Sequence, residues 1–127
     1  MIRILLAEDE QAMREYLVRA LEKSGYEVVA VDRGTDAAPL LEDESRHFDL
    51  LLTDIVMPEM DGIELARHCA KVSPKTEVMF ITGFSGVALR AGESMPKAKV
   101  LSKPFHLKDL VLEVERLFNT ESAQGQI

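Results

Sequence analysis

Three acidic side chains stand directly after two apolar runs of the sequence. Glu8 and Asp9 follow the run IRILLA, and Asp54 follows the run LLLT. Carboxylates that lie close together repel one another, and a cation is needed to keep them all ionised. Mg²⁺ suits a few carboxylates whose coordination is completed by water and phosphate oxygens. If the fold brings these acids together, they form a magnesium site beside a reactive aspartate.

Two more polar side chains follow later apolar runs. Thr82-Gly83 comes after VMFI, and Lys103-Pro104 comes after VLS. A phosphoryl group on Asp54 would be held by Mg²⁺, the Lys103 ammonium and the Thr82 hydroxyl. The small Gly83 would leave its backbone N–H open to a phosphoryl oxygen. Together these residues meet the needs of phosphoryl transfer to a carboxylate.

Alternating strands and helices would place these residues at one edge of a sheet. Short apolar runs predict strands at 2–7, 27–31, 50–53, 78–82 and 99–102. Apolar residues at helical spacing predict helices between them, including 62–72 and 106–118, and a short weak helix within 83–96. Short strands that are apolar on both faces predict a doubly wound α/β domain with a parallel sheet. Ligands bind such sheets beyond the carboxyl ends of the strands, which is where the polar residues fall.

Capping residues predict where two of the helices begin. Asp61, before Gly62, is predicted to be the N-cap of the third helix. Pro39 is best tolerated in the first turn of a helix, so the second helix is predicted to begin near Asp36 as its N-cap.

Composition limits the class of protein. The 127 residues are 46% hydrophobic and 29% charged, which is ordinary for one globular domain. The net charge of -7 argues against nucleic acid or an anionic membrane as the main partner. The single cysteine, Cys69, fits a reducing compartment. No apolar run approaches a membrane span and no signal-peptide pattern is found, so we expect a protein of the cytoplasm. We also expect it to be a monomer.

Each of these residues also has a simpler explanation on its own. Asp9 could be a helix cap, Thr82 a β-branched strand residue, and Lys103 a solvated side chain before an ordinary turn. These explanations do not account for such residues at four of the five predicted strand ends. Core packing is the expected role of the methionines Met57, Met60 and Met79.

Four sequence blocks resemble the signature blocks of response-regulator receiver domains. They are AEDE (7–10), TDIVMPEMDG (53–62), FITG (80–83) and KPF (103–105). The resemblance implies a flavodoxin-like receiver fold, with a five-stranded parallel sheet in the order 2-1-3-4-5 and five helices. It also implies a receiver domain at 1–120, followed by a flexible C-terminal tail at 121–127.

By this resemblance the chain is a single-domain response regulator of a two-component phosphorelay. Asp54 would accept the phosphoryl group from a phosphohistidine of a histidine kinase or a histidine phosphotransfer protein. Glu8 and Asp9 would hold Mg²⁺ together with Asp54 and the backbone carbonyl of Met57. Receivers catalyse their own phosphorylation and dephosphorylation, but they act as signalling proteins that change a protein-binding surface.

Further roles are implied by the same resemblance. Thr82 would move to a phosphoryl oxygen, and Lys103 would pair with the phosphoryl group. Pro104 stands where the family has a cis peptide bond, and Pro58 shapes the loop after Asp54.

Two departures from the family pattern are expected to matter. Most receivers have a Tyr or Phe where this chain has Val100, so an aromatic switch at that position is excluded. A two-state change would then rest on Thr82, on the segment 83–96 and on the packing of the fourth predicted helix, which falls in that segment. Val56 and Phe84 offer no amide or carboxylate to orient a water molecule, which predicts slow hydrolysis of the aspartyl phosphate.

The output of the chain is expected to be contact with a protein partner. We expect no DNA-binding or enzymatic output domain after the last predicted helix. The blocks MFITGF and VLSKPFHL resemble a group of alphaproteobacterial single-domain receivers, which implies an adaptor linked to the ClpXP protease and to cell-cycle control. The exposed output surface would include parts of 84–96 and the outer side of the last helix.

Three other functions are compatible with parts of the pattern. A haloacid-dehalogenase-type phosphohydrolase also uses an aspartate at a strand tip, but it needs a second acid where this chain has Val56. A flavin-binding domain of the same fold would need a phosphate loop where Glu8, Asp9 and Glu10 stand. A pseudo-receiver that never accepts phosphate stays open, although no reactive position is missing.

Overall fold

In the computed structural model, which describes residues 1–82, 98–102 and 106–125, five parallel strands form a sheet. They are β1 (Arg3–Ala7), β2 (Glu27–Val31), β3 (Leu50–Asp54), β4 (Glu77–Thr82) and β5 (Lys99–Ser102). Their order across the sheet is β2-β1-β3-β4-β5, and every neighbouring pair is parallel. The predicted doubly wound α/β fold with strand order 2-1-3-4-5 is confirmed.

Four helices occur in the described part of the chain. They are α1 (Gln11–Lys23), α2 (Gly34–Glu42), α3 (Gly62–Val72) and α4 (Leu107–Gly125). The short helix predicted within 83–96 lies outside the described residues, as do four predicted site residues: Gly83, Phe84, Lys103 and Pro104. None of the described helices has both the length and the apolar character that crossing a membrane requires.

The helices cover both faces of the sheet. Alternate residues of β3 face opposite sides: Leu50 and Leu52 pack with α1 and α4, whereas Leu51 packs with α2 and α3. Burial of one leucine side chain stabilises the fold by roughly 1.5–3 kcal/mol, so β3 is a firm support for the residue at its tip. The predicted core role of the methionines is confirmed: Met57 and Met79 are buried, and Met60 is partly buried against the same core cluster as Met57.

The start of α2 differs from the prediction. The helix begins at Gly34 with Arg33 at the N-cap position, and Asp36 lies in its first turn. The prediction of Asp36 as the N-cap is therefore wrong. Pro39 lies inside the helix, where it supplies no N–H for the bond to a carbonyl one turn earlier. Buried apolar side chains of α2 outweigh this loss, because tertiary packing supplies most helical stability.

The last helix is longer than the sequence pattern predicts. Its predicted end is near residue 118, whereas the helical backbone continues to Gly125. The added segment contains Glu121, Ala123 and Gln124, which are good helix formers despite the polar composition of the segment. The division into a domain at 1–120 and a tail at 121–127 stays a prediction.

The single cysteine belongs to the core. Cys69 is fully buried among residues of α2, α3 and the sheet. Burial raises the pKa of its thiol to about 11, against an opposing hydrogen bond with Thr76. The thiolate is the reactive form of cysteine, and a pKa this high keeps the thiol protonated at neutral pH. Cys69 is therefore a packing residue.

Candidate functional site

Three neighbouring strands carry polar residues to the same edge of the sheet. β1, β3 and β4 lie side by side, and Glu8 directly follows β1, while Asp54 and Thr82 end β3 and β4. Asp54 is paired with Ile81, one residue before Thr82. The strand register therefore places Glu8, Asp54 and Thr82 at the carboxyl edge of the sheet, as predicted.

The three predicted acids form a cluster. One carboxylate oxygen from each of Glu8, Asp9 and Asp54 lies within 4.8 Å of the others. Glu8 is fully buried and Asp54 is 7% exposed, while Asp9 is exposed, so the cluster opens to solvent beside Asp9. Two ionised carboxylates at this distance repel by about 3 kcal/mol at an effective dielectric constant of about 20. Carboxylate oxygens are hard ligands of the kind that Mg²⁺ binds, directly or through its retained water molecules.

Hydrogen bonds fix the turn that carries the first two acids. The Glu8 N–H donates to the Val31 carbonyl at 3.1 Å, which extends the pairing of β1 with β2. Arg14 Nη1 donates to the Glu8 carbonyl at 2.9 Å, and the Glu10 N–H donates to Glu8 Oε2 at 3.2 Å. Glu10, not Asp9, stands at the N-cap of α1, and its side chain makes no capping hydrogen bond. Helix capping therefore does not explain these acids.

The chain turns sharply after Asp54. The Val56 N–H donates to Asp54 Oδ1 at 3.3 Å, the Met57 side chain is buried, and Pro58 is exposed. Asp61 is the N-cap of α3, and its carboxylate accepts a 2.9 Å hydrogen bond from a backbone N–H of the first turn. The capping prediction for Asp61 is confirmed.

Sequence reasoning missed the role of Gly62. A Cβ atom at this position would collide with the backbone carbonyl of Asp54 and would lie 2.9 Å from the Ile55 Cα. The Gly62 N–H donates to the Ile55 carbonyl at 2.8 Å. Gly62 therefore sets the path of the backbone that carries Asp54. The available signal was a glycine at the first position of a helix, where its poor helix propensity calls for a reason.

β4 and β5 form the part of this sheet edge that lies on the other side of β3 from β1. Thr82 is fully buried and is paired with Ser102. Val100 is half-buried and packs against a cluster that contains Phe80 and Ile55. Phe80 and Ile55, which pack with Val100 beside Thr82 in the sheet, are both apolar.

Comparison with known domains decides the family. The family model for the response regulator receiver domain matches residues 4–115. The chain belongs to the response regulator receiver family. Receiver domains are signalling modules that bind Mg²⁺ at an acidic site, and the acid cluster of this receiver is compatible with that ion.

Relatives and solved structures resemble this receiver over most of its length. The response regulator receiver protein CpdR of Brucella abortus (strain 2308) is 58% identical over 118 residues, which cover 92% of this chain and 97% of CpdR. The sensor kinase CckA of the same organism is 36% identical over 121 residues, which cover 93% of this chain but 13% of the kinase. The crystal structure of the response regulator TrrA from Thermotoga maritima, in complex with Mg²⁺-BeF, has a TM-score of 0.82 and 30% identity, and covers 93% of this chain and 100% of TrrA.

Replacing Asp9 with asparagine should have opposite effects in the absence and presence of Mg²⁺. In EDTA, loss of one repelling charge should raise the Tm by about 2–5 °C. Asp9 is exposed, so solvent screens its repulsion well below the value for a buried pair, to roughly 1 kcal/mol. With Mg²⁺, the parent protein should gain stability from metal binding, and Asp9→Asn should gain much less. Calorimetric melting curves in both conditions measure the two effects.

The matched control for this experiment is Glu10→Gln. Glu10 is exposed in the same turn but does not belong to the acid cluster. Its replacement should leave the Mg²⁺-dependent rise in Tm unchanged. An equal Mg²⁺-dependent rise in Asp9→Asn and the parent would contradict a metal-binding role for Asp9.

Proposed function

We propose that this receiver is a single-domain response regulator of a two-component phosphorelay, in which Mg²⁺-dependent phosphorylation of Asp54 switches a protein-binding surface. The acid cluster carries this proposal, because it places the Asp54 carboxylate within 4.8 Å of the carboxylates of Glu8 and Asp9. Asp54 ends β3 and is only 7% exposed, so its carboxylate is held in place at the carboxyl edge of the sheet.

Asp54 would supply the nucleophile. One of its carboxylate oxygens forms a bond to phosphorus while the bond between phosphorus and the donor's histidine nitrogen breaks, and the imidazole leaves with that electron pair. The Val56 N–H already donates to Asp54 Oδ1, which orients the carboxylate for attack. Bound Mg²⁺ would neutralise the negative charge that gathers between the carboxylates and the phosphoryl oxygens.

Four residues would hold the metal. Glu8, Asp9 and Asp54 would contribute carboxylate oxygens, directly or through water, and Met57 would contribute its backbone carbonyl. The Met57 side chain is only 7% exposed and packs in the core, which anchors the backbone at that point. Anchored ligands suit Mg²⁺, since this ion demands nearly ideal octahedral geometry.

Other predicted residues would hold and sense the phosphoryl group. The Thr82 hydroxyl, at the end of β4, would donate to a phosphoryl oxygen. The Lys103 ammonium and the Gly83 N–H would be further donors, and charge-assisted hydrogen bonds of this kind are the strong ones. Pro58 and Pro104 would shape the two adjoining turns.

The donor and the partner are proposed from similarity. A histidine kinase or a histidine phosphotransfer protein in the cytoplasm would supply the phosphoryl group. Similarity to CpdR over nearly its full length supports the finer proposal of an adaptor linked to the ClpXP protease and to cell-cycle control. The partner surface would include parts of 84–96 and the outer side of α4, where Lys108 and Arg116 are exposed.

Two alternatives compete with this function. A pseudo-receiver would bind its partner constitutively and would not accept phosphate. A haloacid-dehalogenase-type phosphohydrolase would need a general acid two residues after its nucleophile, and that position is Val56, an aliphatic side chain that is 48% exposed. The site therefore disfavours the phosphohydrolase.

Incubation with Mg²⁺ and acetyl phosphate should add a single phosphoryl group to this receiver. Asp54→Ala should show no adduct, because the nucleophile has been removed. Asp36→Ala should still show it, since Asp36 is an exposed aspartate outside the acid cluster. Intact-mass spectrometry, with EDTA in a parallel reaction, measures the adduct and its metal dependence.

Two results would change this assignment. An adduct that persists in Asp54→Ala would place the acceptor on another residue. A parent protein that takes no phosphoryl group at any Mg²⁺ concentration would favour the pseudo-receiver.

An asparagine at position 56 should shorten the lifetime of the aspartyl phosphate. Val56 is exposed beside Asp54, so an amide there can orient an attacking water molecule. We expect hydrolysis to be about tenfold faster, which corresponds to a barrier lower by about 1.4 kcal/mol. The loss of the adduct mass with time, after removal of the phosphodonor, measures the rate.

Val72→Asn is the matched control for the lifetime experiment. Val72 is also an exposed valine, 39% accessible, but it lies at the end of α3. Its replacement should leave the hydrolysis rate unchanged. A Val56→Asn variant that loses phosphate no faster than the parent would show that water orientation at this position does not limit the rate.

The adaptor proposal predicts that the phosphorylated and unphosphorylated forms bind purified ClpXP with different affinities. A coupling of about 1.4 kcal/mol between phosphorylation and binding gives a tenfold difference. Binding of the parent after acetyl phosphate treatment is compared with that of Asp54→Ala, which stays unphosphorylated. Failure of both forms to bind would remove ClpXP as the partner, and equal binding would favour the pseudo-receiver.

A further inference from the structure

The N-terminus of α2 lies unusually close to the β3–α3 loop, residues 55–61. A Cβ atom on Gly34 would lie 2.8 Å from the backbone carbonyl oxygen of Met60, and 3.1 and 3.2 Å from the Cβ and Cγ of that residue. The positive-φ glycine of the described chain is Gly25, so Gly34 does not need glycine for its backbone conformation. Gly34 is needed because there is no room for a side chain between α2 and the backbone of Met60. Any larger residue must push the loop or the helix aside.

A second contact joins the same two segments. The Thr35 hydroxyl donates a long hydrogen bond of 3.4 Å to Glu59 Oε2. Glu59 has a φ of 69°, a left-handed conformation that is uncommon outside glycine. The Met60 N–H donates to the Pro58 carbonyl at 2.8 Å, which closes a tight turn. Strained turns persist only where their surroundings hold them, and α2 is part of those surroundings.

The same loop carries a proposed metal ligand. Met57 precedes the tight turn, and its side chain packs in one core cluster with Ala37 and Ala38 of α2. Displacement of the loop by a new side chain at Gly34 would therefore be transmitted to the Met57 backbone carbonyl. Mg²⁺ tolerates poor ligand geometry badly, so a small displacement of one ligand should be measurable as weaker binding.

We propose that Gly34 is a positioning residue for the magnesium site: by lacking a side chain, it allows α2 to seat the β3–α3 loop so that the Met57 carbonyl points to the metal. Gly34 does not touch the metal, and it acts through Met60 and the loop. The inference rests on the proposed function, because it needs Mg²⁺ at the acid cluster.

The test is a calorimetric titration of Mg²⁺ into the parent, Gly34→Ala and Gly25→Ala. Gly25 has a φ of +96° and nothing within 4 Å of a built Cβ, so alanine there strains the backbone without touching the loop. Both variants should lower the Tm. Outer-shell residues commonly change metal affinity by an order of magnitude or more, and we expect Gly34→Ala alone to raise the Kd for Mg²⁺ by about fivefold or more.

The outcomes separate this inference from the function on which it rests. A parent that binds no Mg²⁺ would overturn the metal site itself. A parent that binds Mg²⁺, with an unchanged Kd in Gly34→Ala or an equal increase in both variants, would overturn the role of Gly34 alone. If Gly34→Ala does not fold, Thr35→Val removes the hydroxyl bound to Glu59 without adding bulk. We then expect a Kd raised by about twofold, and an unchanged Kd would overturn the proposal.

Discussion

The mutual repulsion of carboxylates at one edge of the sheet is the constraint on which the rest of this structure depends. Three carboxylates within 4.8 Å of one another repel when all of them are ionised, and this repulsion costs free energy. The strands beneath them offset that cost, because β3 is buried along its whole length and β1 along all but its first residue. A densely packed interior yields little to local strain. The strands therefore hold the acids together, and a bound cation would relieve their repulsion.

Backbone atoms, more than side chains, determine where the reactive groups lie. Gly62 packs directly against the backbone of Asp54, and Gly34 packs against the backbone of Met60. Side chains can change rotamer to relieve a close contact, but a carbonyl oxygen moves only with its chain. Because Gly34 and Gly62 have no side chains, the backbone of the β3–α3 loop can pack against the first residues of α2 and α3. Glycine at these positions makes the start of each helix less stable. The loop is consequently defined by its neighbours and not by its own turn residues alone.

The sequence predicts the parts of the site that follow from local pattern and general topology. The sequence places Asp54 and Thr82 at strand ends, because apolar runs mark strands and the carboxyl ends of parallel strands lie at one edge. The cap at Asp61 depends only on the next three residues. The start of α2 could not be predicted in this way, because Gly34 begins the helix where the chain meets Met60, a residue distant in sequence. The close approach of Gly62 to the backbone of Asp54 likewise depends on the folded path of the chain, which a local sequence pattern does not specify.

The corner around Thr82 limits how this receiver can change state. Val100 packs in the cluster with Phe80 and Ile55, and its side chain has no polar end. A tyrosine at that position could lie inside or reach solvent at similar free energy, because it has an apolar ring and a hydroxyl. Val100 has no polar end to place in solvent, so the inward and outward switch of an aromatic residue is not available at this position. The proposed response to phosphate would therefore rest on Thr82, a buried polar side chain at the end of β4, together with the segment 83–96.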